Sequence, residues 1–255
     1  VWLRRARRTT GPVLVVVAWW ALCRGGFVDT RFLPAPGEVL HAFHRDSSDG
    51  LLWRSLWVSL RRVVEGLGFG VSAGLVLGCL SGMSRLGEDL VDPIVQMFRT
   101  VPFIALSSLF IVWLGIGEEP KFTIVALATF FPIYLNTFNG IRNVDARLVE
   151  MAESFGASRL TIITKVVLRG ALPQALLGLR LALGVSWLAL VFAEQINADA
   201  GIGFMLSNAQ SFLDTPTIME VIAIYAMLGL ITDAAVRLLE ARLLRWRVGF
   251  TGSGR

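Results

Sequence analysis

Six apolar stretches recur along the 255-residue sequence, at 12–28, 58–83, 93–115, 122–139, 173–196 and 217–239. Crossing the hydrocarbon core of a bilayer takes about 20 apolar residues in helical form. A backbone in lipid must also satisfy its own hydrogen bonds, so each stretch reads as a helix. Only 17% of residues are charged, against roughly a quarter in soluble domains. The expected fold class is an all-α polytopic membrane protein, a single transmembrane domain over 1–255 with about six transmembrane helices.

Charge distribution gives the orientation. Arg4, Arg5, Arg7 and Arg8 precede the first stretch, and Arg242, Arg245 and Arg247 follow the last. The interval 197–216 contains no Lys or Arg, whereas the interval 140–172 carries four Arg and one Lys. Lys and Arg collect on the cytoplasmic side, which puts both termini and the 140–172 loop there. The net charge of +5 is clustered at span ends; it is topological and does not point to nucleic acid. The first stretch has the length of a signal peptide, but no Ala-x-Ala site follows it, and a first span is preferred. Val1 leaves open an alternative start or a truncation.

Inside the spans, Gly66, Gly70, Gly74, Gly78 and Gly82 form an unbroken Gly-x-x-x-Gly series. Such a smooth face admits a second helix at close range, either within the chain or in a second copy. Pro102 and Pro132 are expected to bend their helices. Arg61, Arg62 and Glu65 read as the lead-in to the second span, and Glu194 as a residue near the outer surface. Arg99 and Arg180 lie within apolar segments, where a cation is costly; each either lines a translocation pathway or serves a structural, snorkelling role.

No nucleotide fingerprint or nucleophile elbow occurs, so no catalytic residue is assigned. Cys23 and Cys79 sit alone in apolar runs, and His41 and His44 have no acidic or thiol neighbour to complete a ligand set, so no metal site is expected.

The polar interval 150–173 is the one with most pattern. Leu148, Met151, Ala152 and Phe155 recur at helical spacing, Gly156 interrupts, and a second amphipathic run begins at Ser158, a suitable N-cap. Gly156 lets one short helix end and another start at an angle, and Pro173 is placed to open the next span. The reading is a short helix held across the membrane surface, either a docking element or an ordinary interfacial helix.

Glu150, Met151, Ala152, Gly156, Val166, Val167 and Leu168 resemble the EAA loop of ABC-transporter permeases. Met151 replaces an Ala and Arg169 a Pro of that pattern. The likeness extends over most of the chain through Leu33-Pro-Ala-Pro, Arg99-Thr-Val-Pro, Trp113-Leu-Gly-Ile-Gly-Glu, Phe131-Pro-Ile, Leu179-Arg-Leu-Ala-Leu-Gly, Ala193-Glu-Gln-Ile and Gly201-Ile-Gly-Phe, which are similar to permeases of the nitrate, taurine and alkanesulfonate importers. That resemblance implies the fold of a type I importer permease in the bacterial inner membrane. It implies a cytoplasmic ABC ATPase dimer that binds ATP and Mg, a second permease copy, and an external substrate-binding protein as partners. No cofactor is implied in this chain itself. It implies that Glu150, Ala152, Gly156, Ala157 and Ser158, with Arg159 beside them, contact the ATPase, and that the solute is a small anion. A secondary carrier driven by an ion gradient is the alternative; the absence of an inverted repeat counts against it.

Overall fold

The computed structural model describes residues 2–246, all of whose regular elements are helices. Val1 and Arg247 lie outside the described residues, as do the side chains of Arg4, Arg5, Arg7 and Arg8. The helices are α1 (Trp2–Arg24), α2 (Pro36–Ser48), α3 (Leu51–Met83), α4 (Arg85–Phe98), α5 (Phe103–Leu114), α6 (Glu119–Arg142), α7 (Ala146–Ser154), α8 (Arg159–Ile162), α9 (Leu168–Asn197), α10 (Ile202–Ser211) and α11 (Thr215–Leu243). A π-helical turn, Ile163–Val167, joins α8 to α9. Four helical runs are long and apolar enough to cross a membrane: Leu51–Met83, Glu119–Arg142, Arg159–Ile196 and Thr215–Leu243. The first and third apolar stretches of the sequence contain the shorter apolar segments Val13–Arg24 and Ile104–Leu114.

The chain forms two compact units whose boundaries fall within α3 and α11 and next to the end of α9. The larger takes in residues 60–197 and the chain from Met227 onward. Its axis is α6, whose residues are buried around most of the circumference. The glycine series of α3 lies on one side of it. A methyl group built on Gly66 would stand 2.7 Å from Val125 Cβ, one on Gly74 2.9 Å from the Phe130 carbonyl, and one on Gly78 2.9 Å from the Tyr134 carbonyl. On Gly70 it would collide with the Thr129 hydroxyl and the Ala126 carbonyl. The smooth face is therefore filled within the chain, by backbone approaching backbone, where lipid offers no hydrophobic drive for association. Helix α9 covers another side of α6, and Gly178 is as tightly closed over by Pro132 and Asn136. Near one end of α6, Tyr134 and Phe138 stack 6.0 Å apart and pack with Val95 of α4.

The third apolar stretch differs from the single bent helix that Pro102 suggested. Residues 99–102 break it, and Pro102 becomes the extended N-cap of α5. A proline disfavours helical geometry in the residue before it, so the chain stops at Arg99 and restarts rather than bending. The polar residues between the second and third apolar stretches are helical as well, as the start of α4. Ser84 accepts a hydrogen bond from Gly87 N–H at 2.9 Å, which caps α4 and makes the turn helical.

The smaller unit contains residues 1–59 and 198–226. Leu52, Ile202 and Val221 form part of its buried interior, and the Ile202 N–H donates to Ser59 Oγ at 2.8 Å. Arg45 joins two segments far apart in sequence, donating to Asp46 at 2.8 Å, Thr217 at 2.8 Å and Asp214 at 3.2 Å. Asp46 is buried in this cluster.

Candidate functional site

The segment after α6 is built by two helix ends placed back to back. Asp145 caps α7, its carboxylate accepting from Arg147 N–H at 3.0 Å. At the other end Gly156 takes φ +73°. Its N–H donates to the Glu153 carbonyl at 2.8 Å, and the Ala157 N–H reaches back to the Ala152 carbonyl at 3.0 Å. These two bonds make a Schellman ending with glycine in the left-handed position. One residue later Ser158 opens α8, accepting from Thr161 N–H at 3.3 Å. Three residues, Gly156 to Ser158, thus stop one helix and start another.

No residue of α7 is buried. Leu148, Met151, Phe155 and Leu160 are all exposed, Phe155 to 83%. Glu150, Gly156, Ser158 and Arg159 are exposed too, while Ala152 and Ala157 are half-buried. Behind α7, Leu148, Met151, Ala152, Val166 and Trp246 border an open groove of about 410 Å³, with Lys165 and Arg169 among its other walls. The six sequence-predicted contact residues, all within 150–159, lie together at the elbow between α7 and α8.

The second half of this elbow differs from the expected free-standing helix. From Arg159 the chain stays helical through the π-turn and on to Ile196, so α8 is the end of a span. Pro173 lies inside α9 instead of opening it. Its missing N–H leaves the Arg169 carbonyl without its usual partner, which is tolerable because Arg169 is exposed.

Arg99 and Arg180 stand apart from the elbow. Arg99 is the exposed C-cap residue of α4. Arg180 donates to Asp233 of α11 at 2.7 Å, and the other Asp233 oxygen meets Arg237 at 2.5 Å. Two guanidinium groups on one carboxylate leave a net positive charge within the spans.

A cluster that the sequence reading did not assemble lies at the opposite end of α6. Arg62, only 7% exposed, is held between Glu194 at 2.7 Å and both oxygens of Glu118 at 2.6 Å. Lys121, also buried, donates to Glu118 at 3.2 Å and to the Gly117 carbonyl at 2.8 Å. The two-pronged hydrogen bond from Arg62 holds the Glu118 carboxyl down to about 2, against the opposing effect of partial burial. The sequence places Arg62 in the lead-in to a span and Glu194 near the outer end of another; the structure adds that the Glu194 side chain is buried within the protein, against Arg62. Hydropathy places Arg62 and Glu194 near span ends, where a charge needs no buried partner, so the sequence carries little signal for the pair.

Comparison with known proteins follows the same lines. Residues 70–245 match the family model of binding-protein-dependent transport system inner membrane components. The chain is 45% identical over 249 residues to the Escherichia coli (strain K12) protein named as the aliphatic sulfonates transport permease SsuC, covering 98% of this chain and 95% of that one. It is 35% identical to the taurine transport system permease protein TauC of the same strain, covering 95% of this chain and 90% of that one. Among solved structures, the MetNI methionine ABC transporter in an inward facing conformation shares the fold at TM-score 0.61 and 21% identity, over 76% of this chain and 98% of that one. An amino acid ABC transporter with histidines does so at TM-score 0.63 and 17% identity, over 78% and 97%. The packed helical spans and these likenesses agree: the chain belongs to the family of binding-protein-dependent transport system inner membrane components, as a multi-pass permease subunit.

Proposed function

We propose that this chain is the permease subunit of an ATP-driven importer that moves a small anionic solute of the sulfonate, taurine or nitrate class, handed over by an external binding protein. The observation that carries the reading is the elbow at Gly156. It leaves Leu148, Met151, Phe155 and Leu160 uncovered by the rest of the chain, an arrangement suited to insertion into another protein. The partner is a cytoplasmic ATPase dimer that binds ATP and Mg. A second copy of this chain completes the membrane pore. Chemistry stays with the ATPase, and this subunit is non-catalytic.

The names of the 45% and 35% identical relatives support a sulfonate-type solute. Closure of the ATPases on ATP draws the two elbows together, and the helical run 159–196 carries that movement into the membrane, shifting the population between inward-facing and outward-facing packings. On the pathway, Arg99 offers an exposed guanidinium to an anion, and Arg180 contributes through the excess charge it shares with Asp233 and Arg237.

The experiment is to tag the chain, solubilise it in mild detergent and identify what co-purifies. A P-loop ATPase in equal amount is expected. Gly156→Val forces a branched residue into the left-handed region, a strain of about 1–3 kcal/mol confined to the elbow, and should release the ATPase while the chain still inserts. A solo homomer, or undiminished ATPase with Gly156→Val, overturns the reading.

A further inference from the structure

We infer that Arg62 is a positioning residue that latches the turn before α6 against α9, with Glu118 as the arm of the latch that lets go during transport. This inference rests on the importer reading above.

The cluster is asymmetric in a way that stability alone does not require. Its inner arm, Arg62 to Glu194, joins α3 to α9, and the Glu194 side chain is fully shut from solvent. A buried pair of this kind contributes little over apolar residues of the same shape, whereas removal of one partner leaves an uncompensated charge. It is therefore fixed whenever the helices are packed. The outer arm reaches a Glu118 side chain that is 65% exposed. Both Glu118 oxygens are engaged by Arg62 at 2.6 Å, yet water stands ready to replace Arg62. With its carboxylate partner this exposed, the outer pair is screened and contributes much less than its geometry alone would give.

The backbone around Glu118 is arranged to move with it. Gly115 takes φ +81° at the end of α5, and Glu118 sits at the N-cap of α6. Lys121, one helical turn into α6, ties the same turn down through the Gly117 carbonyl and Glu118. The latch thus gathers α3, α6 and α9 at the end of α6 remote from the elbow, some 36 Å away along a helix of this length. While it is closed, the ends of these helices at that side stay together, and the elbow end is held in the arrangement that goes with them. Release of Glu118 frees the turn without disturbing the buried pair.

The test uses the complex of this chain with its co-purified ATPase, reconstituted in liposomes, with ATP hydrolysis measured in the absence of any binding protein or solute. Glu118→Gln retains the shape and removes the charge. It should raise this idle hydrolysis by up to about fivefold, the range open to a partly exposed ion pair, in a chain that still folds, inserts and binds the ATPase. Arg62→Lys retains the cation beside Glu194 but loses the two-pronged hold, and should raise the rate in the same direction. Glu119→Gln, an exposed neighbour of the same charge, should hydrolyse ATP as the wild type does. A rate in Glu118→Gln and Arg62→Lys equal to or below wild type overturns the latch and leaves the importer intact. Wild-type complex without ATP hydrolysis, or with no ATPase bound, overturns both.

Discussion

Two glycines of α3, two positions apart, should respond oppositely to the same substitution. A methyl group on Gly68 meets nothing within 4 Å, so Gly68→Ala gains the helix propensity that alanine has over glycine, about 0.5–1 kcal/mol. On Gly70 the methyl runs into the Thr129 hydroxyl and the Ala126 carbonyl. The hydroxyl cannot easily turn away, because it donates back to Val125 O at 2.9 Å and Ala126 O at 3.1 Å. The carbonyl belongs to the α6 backbone, so relief requires the two helices to separate. Overpacking of this kind costs about 1–3 kcal/mol, and the propensity gain offsets part of it. The propensity gain is common to both, so the two variants should differ by the overpacking cost alone, roughly 1–3 kcal/mol. For a chain of this size that is roughly 2–12 °C in Tm, Gly68→Ala above wild type and Gly70→Ala below it. Thermal unfolding of both in one detergent reads the difference directly. Equal melting temperatures would refute the claim that α3 and α6 touch through this face.

Two further predictions concern charge. Glu118 is held down to about 2 by Arg62. Asp214 also lies below its usual value, because burial is outweighed by the Thr217 hydroxyl and N–H and by Arg45. Depressed carboxyls stabilise the fold above their unfolded values and lose that contribution as pH falls through the folded ones. Melting temperature should thus be insensitive to these groups from pH 8 to about 5 and decline below about 4.5, more shallowly in Glu118→Gln; a decline already complete by pH 5 would contradict the assignment. In the spans, Asp233→Asn leaves Arg180 and Arg237 without an anion between them and should lower yield and melting temperature. The double variant Arg180→Met with Asp233→Leu should recover most of both, as read by fluorescence size-exclusion of the tagged chain.

What could be read from the sequence was what repeats or stays local. The glycine face repeats every four residues, so its existence was plain, although only the structure identifies α6 as what fills it. The stop at Gly156 and the cap at Ser158 are local to a few residues, and their geometry follows from residue type. The break at residues 99–102 was half legible, since Pro102 marks a disturbance without saying whether the helix bends or ends. The Arg62 cluster was out of reach for a different reason. Glu118 is 56 residues from Arg62 and Glu194 is 132, and hydropathy places each near a span end, where a lone charge needs no partner. The run from Ser158 into α9 was misjudged because Pro173 looks like a beginning, and nothing in composition reveals a π-turn.

That turn has a mechanical meaning. From Arg159 to Ile196 the chain is one helical rod of 38 residues, about 57 Å long, and a rod transmits thrust along its axis without a joint to absorb it. The π-turn at Ile163–Val167 is the one wider coil in this rod, an extra residue wound into the shaft just above the elbow. Displacement applied at Ser158 must pass through it before reaching the membrane. A coil able to shift between five- and four-residue hydrogen bonding would rotate everything beyond it, so a push at the elbow would emerge in the spans as a twist.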